Sequence, residues 1–207
     1  MKVGLYFGSF NPIHTGHLII GQHMVSHHGL DEVWFVVTPH NPMKQAADLA
    51  PESDRLVMVH RVVADNPRLK AEDAEFGLPR PNYTAHTMDV LRRRHPSWEF
   101  KIIIGVDNLR TLQHWARWRE LVDGTGFLVY PRARAEGEVG STDGTVAPDG
   151  ERIVLSPAPI ISISSTYLRT ALANGDSARY LLPAAAAEYI REQAPYGFNT
   201  ADRSLPE

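Results

Sequence analysis

Two histidines three residues apart stand near the start of the chain, in the string GSFNPIHTGHL. His14 and His17 flank Gly16, and a protonated imidazole donates hydrogen bonds from both ring nitrogens. Residues three apart on the first turn of a helix project toward the same side, where the leading N–H groups and the helix dipole favour an anion. Glycine lets a backbone approach a polyphosphate closely because it has no Cβ. The pattern predicts a phosphate site in which both imidazoles are donors.

Two other interpretations of this tetrapeptide stay open on the residues alone. The histidines could be solvent-exposed side chains of a helix that follows a glycine turn, or they could bind zinc. The chain has no cysteine, and neither a third ligand nor a general-base glutamate stands near the pair at the spacing of a zinc site. No metal-binding residue is predicted.

A second group of phosphate-binding residue types lies near the C-terminus, in the string PAPIISISSTYLR. Ser164, Ser165 and Thr166 stand at the start of a predicted helix, and Arg169 lies one turn into it. Hydroxyl and N–H groups at a helix start bind phosphate oxygens, and an arginine on the same face adds a charged fork. The alternative is an N-cap followed by a solvated arginine.

Both strings resemble motifs of one enzyme family. GSFNPIHTGH resembles the (T/H)xGH motif of the nucleotidylyltransferases, and SSTYLR resembles their ISSTxxR motif. Members of that family join a nucleoside monophosphate to an acceptor phosphate and release pyrophosphate. Many of them carry two glycines before the Ser or Thr of the first motif, and Phe7 occupies the first of those places here. Two motifs at opposite ends of the chain thus point to the same chemistry.

Three further strings resemble the bacterial nicotinate-nucleotide adenylyltransferases: TPHNPMK followed by DRLVM, EFGLPRPNYTAHTM, and KIIIGVDNLRTLQHWARW. In the first, Lys44 could reach a phosphate or remain a solvated loop lysine. In the second, Thr84 could cap a helix and Tyr83 could line a pocket for a flat ring, while relatives usually have an aspartate at His86. In the third, Gly105 permits close approach of a ligand, and Asp107 can accept hydrogen bonds from ribose hydroxyls.

The resemblance implies a set of site residues. Those implied for catalysis are His14, His17 and Arg169. Those implied for ATP binding are Gly8, Ser9, Phe10, His14, His17, Gly105, Asp107, Ser164, Ser165, Thr166 and Arg169. Those implied for binding nicotinate mononucleotide are Asn11, Lys44, Tyr83, Thr84 and Trp115, although core packing is the default role of Trp115 and Trp118.

The resemblance also implies a reaction and its partners. The substrates are ATP and nicotinate mononucleotide, the products are nicotinate adenine dinucleotide and pyrophosphate, and Mg²⁺ is held mainly by the ATP phosphates. Three alternatives are a nicotinamide mononucleotide acceptor, another phosphate acceptor, and a nucleotide sensor that has lost activity.

The elements that must position these residues alternate between strands and helices. Short apolar or β-branched runs predict six strands: Val3 to Phe7, Val33 to Thr38, Leu69 to Ala71, Phe100 to Gly105, Gly126 to Tyr130 and Ile153 to Leu155. Helices are predicted at His17 to His28, Ser53 to Ala64, Thr84 to Arg94, Asn108 to Ala116, Trp118 to Val122, Ser165 to Ala173 and Pro183 to Gln193. This alternation predicts an α/β fold with a doubly wound parallel sheet, and the resemblance implies the Rossmann-like nucleotidylyltransferase form of it.

Length and composition limit the remaining possibilities. With 207 residues and 43% hydrophobic content, a single domain over residues 1–197 is predicted, with a flexible loop at 132–150 and a C-terminal tail at 198–207. A net charge of −3 argues against binding to nucleic acid or to a membrane surface. The absence of cysteine and of an N-terminal signal segment predicts a cytoplasmic location, and a homo-oligomer remains possible.

Overall fold

Six strands pair in parallel to form one sheet in the computed structural model, which describes residues 1–40, 49–132 and 152–197. They are β1 (Lys2–Gly8), β2 (Glu32–Val37), β3 (Leu69–Glu72), β4 (Glu99–Gly105), β5 (Phe127–Tyr130) and β6 (Ile153–Leu155). Their order across the sheet is β3-β2-β1-β4-β5-β6, so the order reverses between β1 and β4. The predicted doubly wound parallel sheet is confirmed.

Helices lie on both faces of the sheet. They are α1 (Thr15–His27), α2 (Glu52–Val63), α3 (Thr84–Arg94), α4 (Val106–Leu109), α5 (Trp118–Gly124), α6 (Ser165–Ala173) and α7 (Ala184–Gln193). No helix within the described ranges combines the length and the apolar character that crossing a membrane requires.

Alternate residues of the central strands supply two apolar clusters, one on each face. Tyr6 and Phe35 pack with residues of α1, α2, α6 and α7, and Leu5 and Ile102 pack with residues of α3 and α5. Strands buried on both faces need apolar residues at consecutive positions, which explains the unbroken runs Gly4 to Phe7 and Ile102 to Ile104. Apolar packing on both faces thereby fixes the positions of β1 and β4, whose carboxyl ends carry the loops of the site.

The predicted helix from Asn108 to Ala116 is wrong. The chain instead forms the short helix α4, then a 3-10 turn at Leu112–His114, and then an extended residue at Trp115. Arg117 follows with a φ of 55°, a left-handed conformation that interrupts any continuous helix before α5. The break buries Leu109 and Leu112 while it leaves Trp115 only partly buried.

Several expectations fall outside the described residues. Lys44, the loop at 132–150 apart from Arg132, and the tail at 198–207 belong to them.

Candidate active site

Two adjoining cavities open at the carboxyl ends of β1 and β4, where the strand order reverses. The larger, which we call the polar cavity, measures about 470 Å³, and the smaller, the aromatic cavity, measures about 160 Å³. Their walls share Phe7, Gly8, Ile104 and Asn108. This is the place where open parallel sheets bind ligands, because the loops diverge there.

His14 and His17 meet in the polar cavity at the start of α1. Their rings stack with centroids 3.7 Å apart and planes 25° apart. The backbone N–H of His14 donates to Nδ1 of His17 over 3.2 Å. Because Nδ1 accepts, a neutral His17 ring carries its proton on Nε2.

His14 is neutral at ordinary pH. It is 3% exposed, and burial, followed by the positive charge of Arg132, lowers its pKa to about 4. Its Nδ1 is buried without a hydrogen-bond partner among the described residues. His14 therefore donates through a single N–H, and not as the imidazolium that the sequence suggested.

Gly16 has a packing role that the sequence did not reveal. A Cβ at this position would lie 2.7 Å from Cγ2 of Ile161 and 3.0 Å from Nδ1 of His14. Both distances are shorter than an ordinary van der Waals contact, so an alanine would displace the His14 ring. The missing Cβ makes room for this ring, whereas the sequence suggested that it made room for a phosphate.

The second motif is bound directly to the first. Oγ of Ser165 donates to the carbonyl oxygen of Pro12 over 2.9 Å, and Nη1 of Arg169 donates to that of Asn11 over 2.8 Å. Ser164 caps α6, because its hydroxyl accepts the N–H of Tyr167 over 3.1 Å. These contacts join α6 to the loop after β1 and bring both predicted phosphate motifs to one cavity.

Thr166 differs from the two serines beside it. It is exposed and lines the polar cavity, and within the described part of the chain its hydroxyl makes no hydrogen bond. Of the three hydroxyl groups in the motif, this one is therefore the most available to a ligand.

The loop after β1 is held in place by buried contacts. Phe10 is 2% exposed with a φ of 45°, and its ring meets the edge of the His17 ring at a centroid distance of 5.1 Å. Gly8 accommodates that ring, since a Cβ there would lie 2.9 Å from it. Phe10 thus supports the His17 ring and also lines the polar cavity, and its contact with ATP stays a prediction.

Asn11 lies in the polar cavity and not in the aromatic one. Its Oδ1 accepts the N–H of Ala50 over 3.0 Å, so this side chain connects the loop after β1 to the residues that precede α2. Any contact of Asn11 with a mononucleotide would therefore be at the phosphate end of that molecule.

Asp107 and Arg132 form an ion pair at the opposite side of the polar cavity. Nη1 of Arg132 lies 2.9 Å from Oδ2 of Asp107, and the Arg132 stem crosses Gly105, where a Cβ would lie 2.7 Å from Cδ of Arg132. Burial lowers the pKa of Arg132, but the neighbouring Tyr130 and the carboxylate of Asp107 together outweigh this effect and raise it. Arg132 was not among the predicted site residues, although its place shortly after β5, at the ligand-binding edge of the sheet, is a signal for such a role.

The aromatic cavity contains the other predicted residues. Tyr83, Thr84 and Trp115 line it, and Trp115 packs edge-on against Phe127 at a centroid distance of 6.4 Å. Tyr83, and not Thr84, is the N-cap of α3, so the predicted capping role of Thr84 is wrong. The sequence did not indicate the other polar residues that line this cavity, which are Thr38, Glu75, Asn82, Asn108 and His114.

Arg55 is a fully buried arginine beneath the site. Its guanidinium donates to the carbonyl oxygens of Ser9, Thr38, Pro39 and Ala50 at 2.7 to 3.0 Å. It thereby fixes the loops after β1 and β2 relative to α2. A signal for it existed in the sequence, because Arg55 shares one helix face with Met58, Val59 and Val62, where only apolar residues are expected.

A doubly wound sheet with a polar cavity and an aromatic cavity at its switch point defines a nucleotide-binding α/β protein. The polar cavity is lined by two histidines, two arginines and the N-terminus of α6, which suits a polyphosphate.

Comparison with known proteins agrees with this class. The chain belongs to the cytidylyltransferase-like family, whose model matches residues 5–171, and within it to the nicotinate-nucleotide adenylyltransferases. A relative from Flavobacterium johnsoniae, named "Probable nicotinate-nucleotide adenylyltransferase", is 42% identical over 92% of this chain and 96% of its own length. A Bacteroides fragilis protein with the same name is 43% identical over 93% of this chain and 92% of its own.

Solved structures share the fold. The nicotinic acid mononucleotide adenylyltransferase of Plasmodium falciparum, solved in complex with NaAD, superposes with a TM-score of 0.75. The match covers 96% of this chain and 98% of the other at 19% sequence identity. At this identity the similarity is one of fold alone, and it agrees with the predicted Rossmann-like nucleotidylyltransferase fold.

Proposed function

We propose that this protein transfers the adenylyl group of ATP to nicotinate mononucleotide, forming nicotinate adenine dinucleotide and pyrophosphate in NAD biosynthesis. One observation carries the proposal: a polar cavity lined by both phosphate motifs opens into an aromatic cavity lined by Tyr83, Thr84 and Trp115. A mononucleotide that spans the two cavities places its phosphate beside the ATP phosphates and its ring among the aromatic side chains. The names of the relatives support the same assignment.

The chemistry needs no side-chain nucleophile. The acceptor phosphate already carries a negative oxygen that attacks the α-phosphorus of ATP in line, and the bond to the leaving pyrophosphate breaks. Catalysis then consists of positioning the two phosphates and stabilising the charge on the transferring group. His17 donates from Nε2, and His14 donates from its single N–H, to oxygens of the α- and β-phosphates.

The leaving pyrophosphate is held by α6 in this proposal. The first N–H groups of a helix have no partner within it, so those of Ser165 and Thr166 are available to phosphate oxygens. The Ser165 hydroxyl is already used on Pro12, and Thr166 and Arg169 supply the remaining donors. Arg169 keeps one N–H on the Asn11 carbonyl and directs the rest of its guanidinium fork to the anion.

The ATP nucleoside lies over β4. Gly105 leaves room for the Arg132 stem and so lets Arg132 orient Asp107, whose carboxylate accepts hydrogen bonds from the ribose hydroxyls. The pyridine ring of the acceptor stacks on Trp115. The opening N–H groups of α3, at Thr84 and Ala85, face the ring carboxylate and have no acceptor within their own helix.

Mg²⁺ fits this site as an ion carried by the substrate. Asp107 is the one carboxylate among the described lining residues of the polar cavity, and it is paired with Arg132. The described residues contain no cluster of three or more His, Cys, Asp or Glu arranged to hold a metal. Bound to phosphate oxygens, Mg²⁺ would neutralise part of the negative charge that the nucleophile must approach.

The test is an acceptor assay on the purified chain. We expect pyrophosphate release with ATP and nicotinate mononucleotide, a dinucleotide product by mass spectrometry, and weaker turnover with nicotinamide mononucleotide. Preference for the amide would reassign the acceptor. ATP binding without pyrophosphate release with either acceptor would leave a nucleotide sensor as the function. A cytoplasmic location and a homo-oligomeric state remain predictions that fractionation and light scattering can check.

A further inference from the structure

Glu75 is a buried carboxyl group that the proposed reaction does not use. It stands between β3 and α3, is 1% exposed, and lines the aromatic cavity. Its Oε1 accepts the hydroxyl of Thr87 over 2.7 Å. Its Oε2 is buried and has no hydrogen bond of ordinary geometry among residues 1–40, 49–132 and 152–197, although the Thr38 hydroxyl lies near enough to the carboxyl group to lower its pKa. An unsatisfied buried carboxylate oxygen is costly, so such a group in a cavity wall calls for a ligand or a proton.

Glu75 lies at the end of the aromatic cavity where the pyridine ring of the acceptor would bind. The residues shared with the polar cavity mark the end of the aromatic cavity where the acceptor phosphate would lie. Glu75 does not line the polar cavity, and it is hydrogen-bonded through Thr87 to the first turn of α3. The opening N–H groups of that same turn are where the ring carboxylate is proposed to bind. Two carboxyl groups would therefore lie near one helix N-terminus.

No ion pair offsets the charge of Glu75 within the described residues. Burial raises its pKa, and the hydroxyls of Thr87 and Thr38 lower it by a smaller amount. Titratable or charged groups on the neighbouring elements are Tyr83 and His114 in the cavity wall, Glu72 at the end of β3, Asp73 and Arg80 on the segment before α3, His86 and Asp89 on α3, and His40, whose backbone bonds to Asn82. None of them contributes a charge to the pKa of Glu75.

We propose that Glu75 takes up a proton when the ring carboxylate of nicotinate mononucleotide binds, and that it thereby makes the choice between carboxylate and amide acceptors depend on pH. The inference rests on the proposed acceptor. Two carboxylates in a poorly solvated cavity repel each other, and protonation of one removes the repulsion and supplies a donor. An amide substituent has no charge, so its binding has no such requirement.

The proton linkage has a definite sign. Between the pKa of Glu75 in the free protein and its higher pKa in the complex, each unit of rising pH should weaken binding of nicotinate mononucleotide by up to about tenfold. Binding of nicotinamide mononucleotide should lack this additional loss. The phosphate and ribose are common to both acceptors, so the difference between them isolates the ring substituent.

Calorimetry measures this difference directly. Each mononucleotide is titrated into the full chain at one pH in two buffers with different ionisation enthalpies, which yields the number of protons taken up. We expect a larger uptake for nicotinate mononucleotide than for the amide, approaching one proton. In Glu75→Gln, which keeps the shape of the side chain, the two acceptors should give equal proton numbers.

Glu72→Gln is the matched control. Glu72 is also a partly buried carboxyl with a raised pKa, but it faces Arg94 at 3.6 Å and does not line the aromatic cavity. Its replacement should leave the proton difference intact. If Glu75 only anchors α3 through Thr87, Glu75→Gln should lower the unfolding temperature and leave the proton difference unchanged.

The outcomes separate the two proposals. Equal proton numbers for both acceptors in the wild-type protein, or a difference that survives in Glu75→Gln, would overturn the role of Glu75 alone. Because the wild-type measurement needs no variant, it decides even if Glu75→Gln fails to fold. Absence of binding by nicotinate mononucleotide would instead contradict the proposed function.

Discussion

The guanidinium of Arg132 spans the ends of β4 and β5 to reach Asp107, with Nη1 and Oδ2 2.9 Å apart. Its stem lies over Gly105, so the last residue of β4 must be a glycine for the pair to form in this geometry. The same arginine is the second cause, after burial, of the low pKa of His14. Arg132 thus orients Asp107, which is proposed to accept hydrogen bonds from the ribose, and adds to the effect of burial that keeps the His14 imidazole neutral.

Gly105→Ala tests this arrangement. The new Cβ would lie 2.7 Å from Cδ of Arg132 and would also collide with Oδ1 of Asp107, so the carboxylate must move. Loss of well-placed hydrogen bonds to a charged group typically costs about 1.5 to 3 kcal/mol, which corresponds to a rise of about tenfold or more in the KM for ATP. The KM for the acceptor should change little. Steady-state kinetics with each substrate varied in turn provides the measurement.

Gly77→Ala is the control for this variant. A Cβ at Gly77 has no neighbouring atom within 4 Å, and the residue lies outside both cavities. Its kinetics should match those of the wild-type protein. An unchanged KM for ATP in Gly105→Ala would show that Asp107 does not bind the nucleoside in its present orientation.

His17→Ala should lower kcat by about 10² to 10³-fold, the usual effect of removing one donor to the transition-state charge. In the proposed mechanism the donor atom is Nε2 of His17, because Nδ1 accepts the His14 backbone N–H. His60→Ala, at an exposed position on α2, serves as the matched replacement and should retain full turnover. Near-normal kcat in a folded His17→Ala protein would remove this residue from the mechanism.

The pKa of His14 predicts a loss of stability in acid. In the folded protein the pKa of His14 is about 4, against 6.5 for an unperturbed histidine. Between these two values of pH, His14 is protonated in the unfolded chain and neutral in the folded one. Stability from this group is present above pH 6.5 and is lost as the pH falls toward 4. Between pH 7 and pH 5 the loss should amount to about 2 kcal/mol of unfolding free energy.

Urea unfolding at a series of pH values measures this contribution. Other groups titrate in the same range, so the comparison is with His14→Asn, which cannot take up the proton and should show a shallower pH dependence. Arg132→Met should reduce the loss of stability between pH 7 and pH 5, because removal of the positive charge raises the pKa of His14 in the folded protein toward its value in the unfolded chain. Equal slopes for the wild-type protein and His14→Asn would contradict a neutral buried imidazole.

Local signals predicted several elements to the residue. Helices α3 and α6 and strand β6 have the bounds expected from sequence, because the turn before each helix and the short apolar run of the strand are features of neighbouring residues. The predicted helix at Asn108 to Ala116 failed because a tertiary arrangement decides it: Leu109 and Leu112 are drawn into the core while Trp115 faces a cavity. Periodicity alone carries no information on that competition.

Residues of the candidate site that belong to a sequence motif were predicted, whereas single residues outside the motifs were not. His14, His17, Ser164, Ser165, Thr166 and Arg169 all line one cavity, as the two motifs suggested. Arg132 pairs with Asp107, which is 25 residues away in sequence, so no local pattern marks it. Glu75 and its partner Thr87 both stand in the string EFGLPRPNYTAHTM, but the string does not reveal that Glu75 is buried in a cavity wall. Arg55 does stand out on an apolar helix face, but its partners could not be read from the sequence, because all the hydrogen bonds described for it go to backbone carbonyl oxygens.

Trp115→Leu should weaken binding of the acceptor mononucleotide and leave binding of ATP unchanged. Trp115 lines the aromatic cavity and not the polar one, so its ring is available to the pyridine ring of a mononucleotide. Stacking of a base on an aromatic side chain is worth about 1 to 3 kcal/mol, which predicts a rise in the acceptor KM of about tenfold or more. The KM for ATP should change by no more than about twofold, because Trp115 does not line the polar cavity where ATP is proposed to bind. A larger change would correspond to the loss of a hydrogen bond to ATP.

Trp118→Leu distinguishes stacking from general destabilisation. Trp118 is also a partly buried indole packed on the same apolar cluster, with the Arg119 guanidinium 4.9 Å above its ring, but it lines neither cavity. Both variants should lose some thermal stability, since each removes apolar surface from the core. Only Trp115→Leu should raise the acceptor KM, and an equal rise in both would indicate that the tryptophans support the fold of the segment without contacting the ring.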